Sequence, residues 1–100
     1  MLENDKLTLL ISSPDTKVNG IIADSIKILC YDGEMMVLPQ HESITVLLKI
    51  DGIIEVTQNN INSNNINTIK KLIFKFINGG IVNINNNICT VISTIFEQID

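Results

Sequence analysis

The sequence has few aromatic residues, no tryptophan and little positive charge, and each shortage argues against a class of function. Aromatic residues make up 4% of the 100 residues and are scattered, so little is present to line the concave pocket of a small-ligand site. The seven basic residues are outnumbered by eleven acidic ones, giving a net charge of −4, and form no cluster for phosphate binding. We therefore expect no nucleic-acid partner.

Side chains suited to catalysis or metal binding are equally scarce. His41 is the only histidine, whereas a cupin-type metalloenzyme would need two or three imidazoles at its metal. Cys30 and Cys89 lie in apolar segments, which favours buried, reduced thiols of a cytosolic domain over a disulfide. Asn78-Gly79-Gly80 lies between predicted strands and not before a helix, so it is no phosphate loop. We expect no catalytic residue, no metal and no cofactor.

No apolar run is long enough to cross a membrane. The longest runs, such as Leu7 to Ile11 and Met35 to Leu38, have the length of a β-strand. The first five residues are acidic and contain no apolar signal region. We therefore expect neither secretion nor direct insertion into a membrane.

Short apolar segments separated by Gly, Asn and Pro turns predict an all-β fold. Ile and Val dominate the hydrophobic 45%, and β-branched side chains suit pleated sheets. We expect one domain over residues 1–100, a flattened β-sandwich or barrel of about eight to nine short, mostly antiparallel strands. Asn19-Gly20 favours a turn or bulge before a strand over 21–29, and Asp51-Gly52 favours a hairpin. The Asn-rich residues 58–68 are expected to form a surface loop within a hairpin.

The chain is organised around residues 32–41. Gly33 supplies the positive φ of a tight turn, and Pro39 ends the short buried strand that follows because it lacks an N–H group. A polar corner then begins at Gln40 and His41. A second structural turn is expected at Gly79 and Gly80, again with positive φ.

The order of these features resembles the N-terminal β-sandwich domain of the F-type ATP synthase epsilon subunit. Residues 13–15 match the family's Ser/Thr-Pro-acidic turn. The family's hallmark is an acidic-Gly-acidic motif, an aliphatic-Leu-Pro motif and a histidine, and here these are residues 32–34, residues 37–39 and His41. Its Gly-Gly run between two strands is similar to 74–84. The sequence departs from the family at Met36 and Gln40, where the family has glycine.

The resemblance implies a non-catalytic rotor subunit that docks on the gamma subunit and on the c-ring of a proton-translocating ATP synthase. By this resemblance, Glu34 and His41 are candidates for the interface with these partners, and Ser12 and Thr45 are weaker candidates. For Glu34 the alternative is a solvated turn carboxylate, and for His41 a histidine that caps its own turn. For Ser12 and Thr45 the alternative is an ordinary polar residue on a strand.

The resemblance also implies a bacterial protein that is peripheral to the cytoplasmic face of the inner membrane. In many relatives a C-terminal helical hairpin follows the sandwich and in some it binds ATP. The sequence ends where that hairpin would begin, so we expect a short form with no helical domain and no nucleotide site. The alternative function is a free-standing β-sandwich module that binds a peptide or small ligand.

Overall fold

The computed structural model describes residues 6–61 and 67–100, and these residues form ten β-strands. The strands are β1 (Leu7–Ser12), β2 (Lys17–Ala23), β3 (Ser25–Cys30), β4 (Gly33–Val37), β5 (Ile44–Leu48), β6 (Gly52–Ile61), β7 (Asn67–Phe76), β8 (Gly80–Asn85), β9 (Ile88–Ile92) and β10 (Phe96–Gln98). No helix occurs within the described ranges. The predicted all-β fold is confirmed. The number of strands exceeds the predicted eight to nine because β10, only three residues long, has no alternating pattern of its own.

The strands form one continuous sheet that curls on itself. Their order is β10-β7-β6-β3-β5-β8-β9-β1-β2, with β4 paired to the other side of β3. β3 meets β5 only at Cys30 and Leu48, so the sheet divides there into two halves. β1 and β9 run parallel, and the other pairs of described strands are antiparallel.

A single apolar core fills the space between the two halves. Alternate residues of β1 are buried and half-buried, as expected for a strand with one face on the core. The core also takes Ile26, Ile28, Ile54 and Val56 from one half and Val82, Ile84 and Val91 from the other. Each such side chain contributes about 1.5–3 kcal/mol when it is removed from water. This shared core fixes which face of every strand remains outside.

The second strand begins and ends at different places than the sequence suggested. The chain does not break at Asn19-Gly20. Of the predicted turn or bulge, the bulge is confirmed: β2 passes through these residues with a register shift between Leu9 and Ile11 and with φ 72° at Gly20. The break comes at Asp24, so the predicted strand over 21–29 is divided between β2 and β3.

The prediction of a hairpin at Asp51-Gly52 is wrong. A turn is present, with φ 58° at Asp51 and a 2.8 Å hydrogen bond from Gly52 N to Lys49 O. However, β5 and β6 do not pair with each other: β5 pairs with β8, β6 pairs with β7, and both lie antiparallel to β3 along its edge opposite β4. The residues at a turn favour a reversal of the chain, but they do not decide which strand becomes the neighbour.

The predicted loop over 58–68 is in part strand. The β6–β7 ladder continues through Gln58↔Lys70 to Ile61↔Asn67, and this is the expected hairpin with a shorter connection. Residues 62–66 of the predicted loop lie outside the described residues.

A carboxylate ties this hairpin to the β2–β3 turn. Asp24 accepts hydrogen bonds from the Lys6 ammonium and, at 2.6 Å, from Asn59 N. Partial burial pushes the pKa of the Asp24 carboxyl upward, but the bonds from Lys6 and Asn59 outweigh burial and hold it below its ordinary value. The ionised carboxylate therefore stabilises the folded state.

Substituting Asp24→Asn is expected to lower the free energy of unfolding at pH 7 by about 1 kcal/mol. Because the folded pKa is depressed, the contribution of Asp24 is complete above the unfolded pKa of about 3.9 and disappears as pH falls through the folded value. Urea unfolding of both proteins from pH 7 to pH 2.5 measures the difference. A gap between them that stays constant below pH 4 would contradict this role.

Candidate functional site

The two outer faces of the curled sheet differ in charge. The outward side chains of β1, β5, β8 and β9 form what we call the uncharged face, because none of them is ionisable. They are Thr8, Leu10, Ser12, Thr45, Leu47, Ile81, Asn83, Asn85, Ile88, Thr90 and Ile92. The edge strand β2 borders this face and places Lys17 opposite Ser12. Charged side chains are common on the surfaces of monomeric proteins and are depleted at the centre of interfaces. A face without charged side chains is therefore typical of the centre of an interface.

An apolar row crosses the uncharged face. Leu47 is the cross-strand partner of Ile81, and Ile81 is that of Ile92, so the three side chains lie side by side. They are 58%, 46% and 59% exposed. A groove of about 580 Å³ adjoins the row and is lined by Ile81, Ile92, Ser12 and neighbouring turn residues. We call Leu47, Ile81 and Ile92 the apolar ridge.

The opposite outer face carries a ladder of charges. Lys27 of β3 is the direct partner of Glu55 of β6 and lies 3.8 Å from the Glu34 carboxylate of β4. Lys71 of β7 lies 3.4 Å from Glu55. Such exposed pairs contribute about 0–1 kcal/mol each, so this face is typical of one in contact with water.

His41 lies in the connection between β4 and β5, at the far end of β4 from Glu34. Its backbone N–H donates to Leu38 O at 3.1 Å, and its Nδ1 lies 2.7 Å from Glu42 O. Gln40 precedes it in the left-handed region, with φ 68°. A polar cavity of about 580 Å³ opens here between the connection and the β8–β9 turn. His41 therefore both supports its own turn and lines an open surface.

The four interface candidates do not form one cluster. Ser12 and Thr45 lie on the uncharged face, where Thr45 Oγ1 accepts a 2.9 Å hydrogen bond from Asn83 Nδ2. Glu34 belongs to the charged face, with 57% of its side chain exposed. The three residues of the apolar ridge were not among the candidates. The signal for them is that each follows or precedes an apolar core residue directly, in Leu47-Leu48, Ile81-Val82 and Val91-Ile92. Adjacent apolar residues are typical of strands covered on both faces.

The predicted structural residues occupy tight turns. Gly33 has φ 119° and Gly79 has φ 71°, and β4 ends at Val37, two residues before Pro39. Gly80 does not have a positive φ, so the predicted reason for a glycine at this position is wrong. A β-carbon at Gly80 would lie 2.5 Å from Ile92 O. Space and not backbone conformation restricts this position to glycine.

The described residues contain no group of three His, Cys, Asp or Glu side chains that could hold a metal ion. Both cysteines are free thiols. Burial raises the pKa of the Cys89 thiol to about 12, which leaves it protonated and unreactive. Cys30 is only half-buried, contrary to the expectation for it, and its Sγ lies 3.1 Å from Gly33 O.

The same fold is found in a family of known proteins. The model of the ATP synthase delta/epsilon chain β-sandwich domain matches residues 6–99. The chain belongs to this family. The resemblance seen in the turn motifs is therefore confirmed.

A solved structure of similar fold is a chain in the cryo-EM structure of the Euglena gracilis mitochondrial ATP synthase, which contains OSCP, F1 and the c-ring. The TM-score is 0.76 at 21% sequence identity, over 94% of this chain and 54% of that one. The delta/epsilon domain described here thus spans about half the length of its structural neighbour. No helix in the described ranges has the length and apolar character needed to cross a membrane.

Proposed function

We propose that this delta/epsilon domain belongs to a non-catalytic central-stalk subunit of a proton-translocating F-type ATP synthase. In this proposal it docks on the gamma subunit and the c-ring at the cytoplasmic face of a bacterial inner membrane, and helps to couple proton flow to ATP synthesis. Family membership supports the assignment. The observation that carries it is the uncharged face with its exposed apolar ridge.

The uncharged face is the proposed contact with gamma. Protein interfaces are depleted of charged residues at their core and draw most of their affinity from a few well-packed apolar side chains. Leu47, Ile81 and Ile92 stand on a rigid sheet, so they lose little conformational freedom on binding. Ser12 and Thr45 supply polar groups beside the ridge.

The acidic turn and the His41 connection are the proposed contacts with the polar loops of the c-ring. Glu34 is exposed and already paired loosely with Lys27, so a basic group on a ring loop can replace that lysine. A single exposed pair contributes about 0–1 kcal/mol. These contacts therefore serve orientation more than affinity.

The experiment is binding of the purified chain to its cognate gamma subunit, by co-elution and calorimetry, with Ile81→Asp as the test variant. A charge buried at the centre of the contact is expected to weaken binding at least about 30-fold, or about 2 kcal/mol. Met36→Asp is the matched control, because Met36 is 52% exposed but points outward from β4 on the charged face.

Equal affinity for the Ile81→Asp and Met36→Asp variants would rule out the uncharged face as the contact. No binding by the folded parent chain would overturn the stalk assignment. The groove beside Ile81 and Ile92 would then favour the alternative, a free-standing module for a peptide or small ligand.

A further inference from the structure

The connection that carries His41 is attached to the β8–β9 turn by two asparagine side chains. Asn87 Oδ1 accepts a 2.6 Å hydrogen bond from Gln40 N, and Asn85 Oδ1 accepts a 2.8 Å hydrogen bond from Ser43 Oγ. These bonds bracket His41 on both sides along the chain. We call residues 40–43 the His41 corner.

The turn that supplies these side chains is itself rigid. Asn86 and Asn87 have φ 53° and 65°, the pair of left-handed residues that a two-residue hairpin loop requires. Asn87 O also accepts a 2.9 Å hydrogen bond from Thr8 N, so the turn is fixed to β1 as well. The side-chain oxygens of Asn85 and Asn87 are therefore held in place before they meet the corner.

The corner needs such support. Gln40 adopts φ 68°, a conformation that is costly for any residue with a β-carbon and that persists only where its surroundings impose it. The Gln40 backbone N–H donates to Asn87 Oδ1, whereas the His41 backbone N–H donates to Leu38 O within the turn. The strained residue next to His41 thus has its backbone N–H bound to Asn87.

We propose that Asn85 and Asn87 are positioning residues that hold the His41 corner in the conformation in which it docks. The docking part of this inference rests on the proposed contact of His41 with the c-ring. Neither asparagine needs to touch the partner. Their effect on docking passes through the backbone of Gln40 and the hydroxyl of Ser43.

The test uses three variants of the full chain. Asn87→Gly removes the acceptor but keeps a residue that adopts positive φ freely. Asn86→Gly makes the same change one residue earlier, where no side-chain hydrogen bond to the described residues is lost. Asn87→Asp restores an acceptor oxygen at the same position and is the rescue variant.

Two readouts separate this inference from the proposed function. The first is exchange of the Gln40 backbone amide hydrogen in the isolated chain, measured by NMR, which needs no partner. Asn87→Gly is expected to speed this exchange about tenfold, while Asn86→Gly and Asn87→Asp leave it near the parent rate. The second is binding to the purified c-ring, which Asn87→Gly is expected to weaken and Asn87→Asp to restore.

Unchanged Gln40 exchange in the Asn87→Gly variant would overturn the inference. Faster exchange with undiminished docking would overturn the link between the corner and the c-ring. If the parent chain itself fails to bind the c-ring, the proposed contact is wrong and the docking half falls with it. The exchange rates still decide whether Asn87 holds the corner.

Discussion

Replacing Gly79 by alanine is expected to destabilise the domain by about 2–5 kcal/mol, a sum of backbone strain and overpacking. Gly79 has φ 71°, and a β-carbon there would lie 2.5 Å from Leu48 O and 3.2 Å from Lys49 O. Neither neighbour moves easily, because Leu48 is paired with Gly80 and Lys49 O accepts a 2.8 Å hydrogen bond from Gly52 N. Thermal unfolding should show a midpoint lowered by more than about 10 °C.

Gly20→Ala is the control that separates strain from crowding. Gly20 has nearly the same φ, 72°, but nothing lies within 4 Å of the position that a β-carbon would take there. The free energy of unfolding of this variant should fall only by the cost of backbone strain, about 1 kcal/mol. Equal losses at Gly20 and Gly79 would mean that the close approach to Leu48 O has no energetic effect, and the argument for Gly79 would fail.

Much of the fold follows from the alternation of apolar and polar residues. Lys6 to Ile11 predicts β1 and Ile81 to Ile84 predicts β8, because burial of one face imposes a period of two. Partner choice does not follow from this local pattern. The placement of β5 and β6 along the same edge of β3, instead of against each other, depends on the packing of the whole core, which no turn sequence at Asp51-Gly52 records.

The candidate site was predictable only in part, for a similar physical reason. The turn at Gly33 and the end of β4 before Pro39 are set by local backbone geometry, which sequence patterns report well. The motif places Glu34 and His41 seven residues apart, and an extended β4 carries them to opposite ends of one strand. The apolar ridge exists only because three strands, distant in sequence, align Leu47, Ile81 and Ile92.

The attachment of β10 shows how a strand without its own pattern is held. β10 pairs with the end of β7 through Phe96↔Phe76, and the two rings stack with centroids 5.7 Å apart. The Phe74 ring meets Phe96 edge-on at 6.2 Å. Gly52 lies opposite Phe76 on the other side and offers no side chain. Phe76 is therefore the residue that joins β6, β7 and β10 at this end of the core.

Substituting Phe76→Ala is expected to lower the free energy of unfolding by about 3–5 kcal/mol. The ring is fully buried, and Gly52 has no side chain with which to fill the cavity that its loss would leave. Phe96→Ala is the comparison, because Phe96 is only half-buried and should cost less while releasing β10. Urea unfolding gives both free energies, and amide exchange at Glu97 and Gln98 reports the release. A Phe96→Ala variant as unstable as Phe76→Ala would show that β10, and not the buried ring of β7, secures this end of the core.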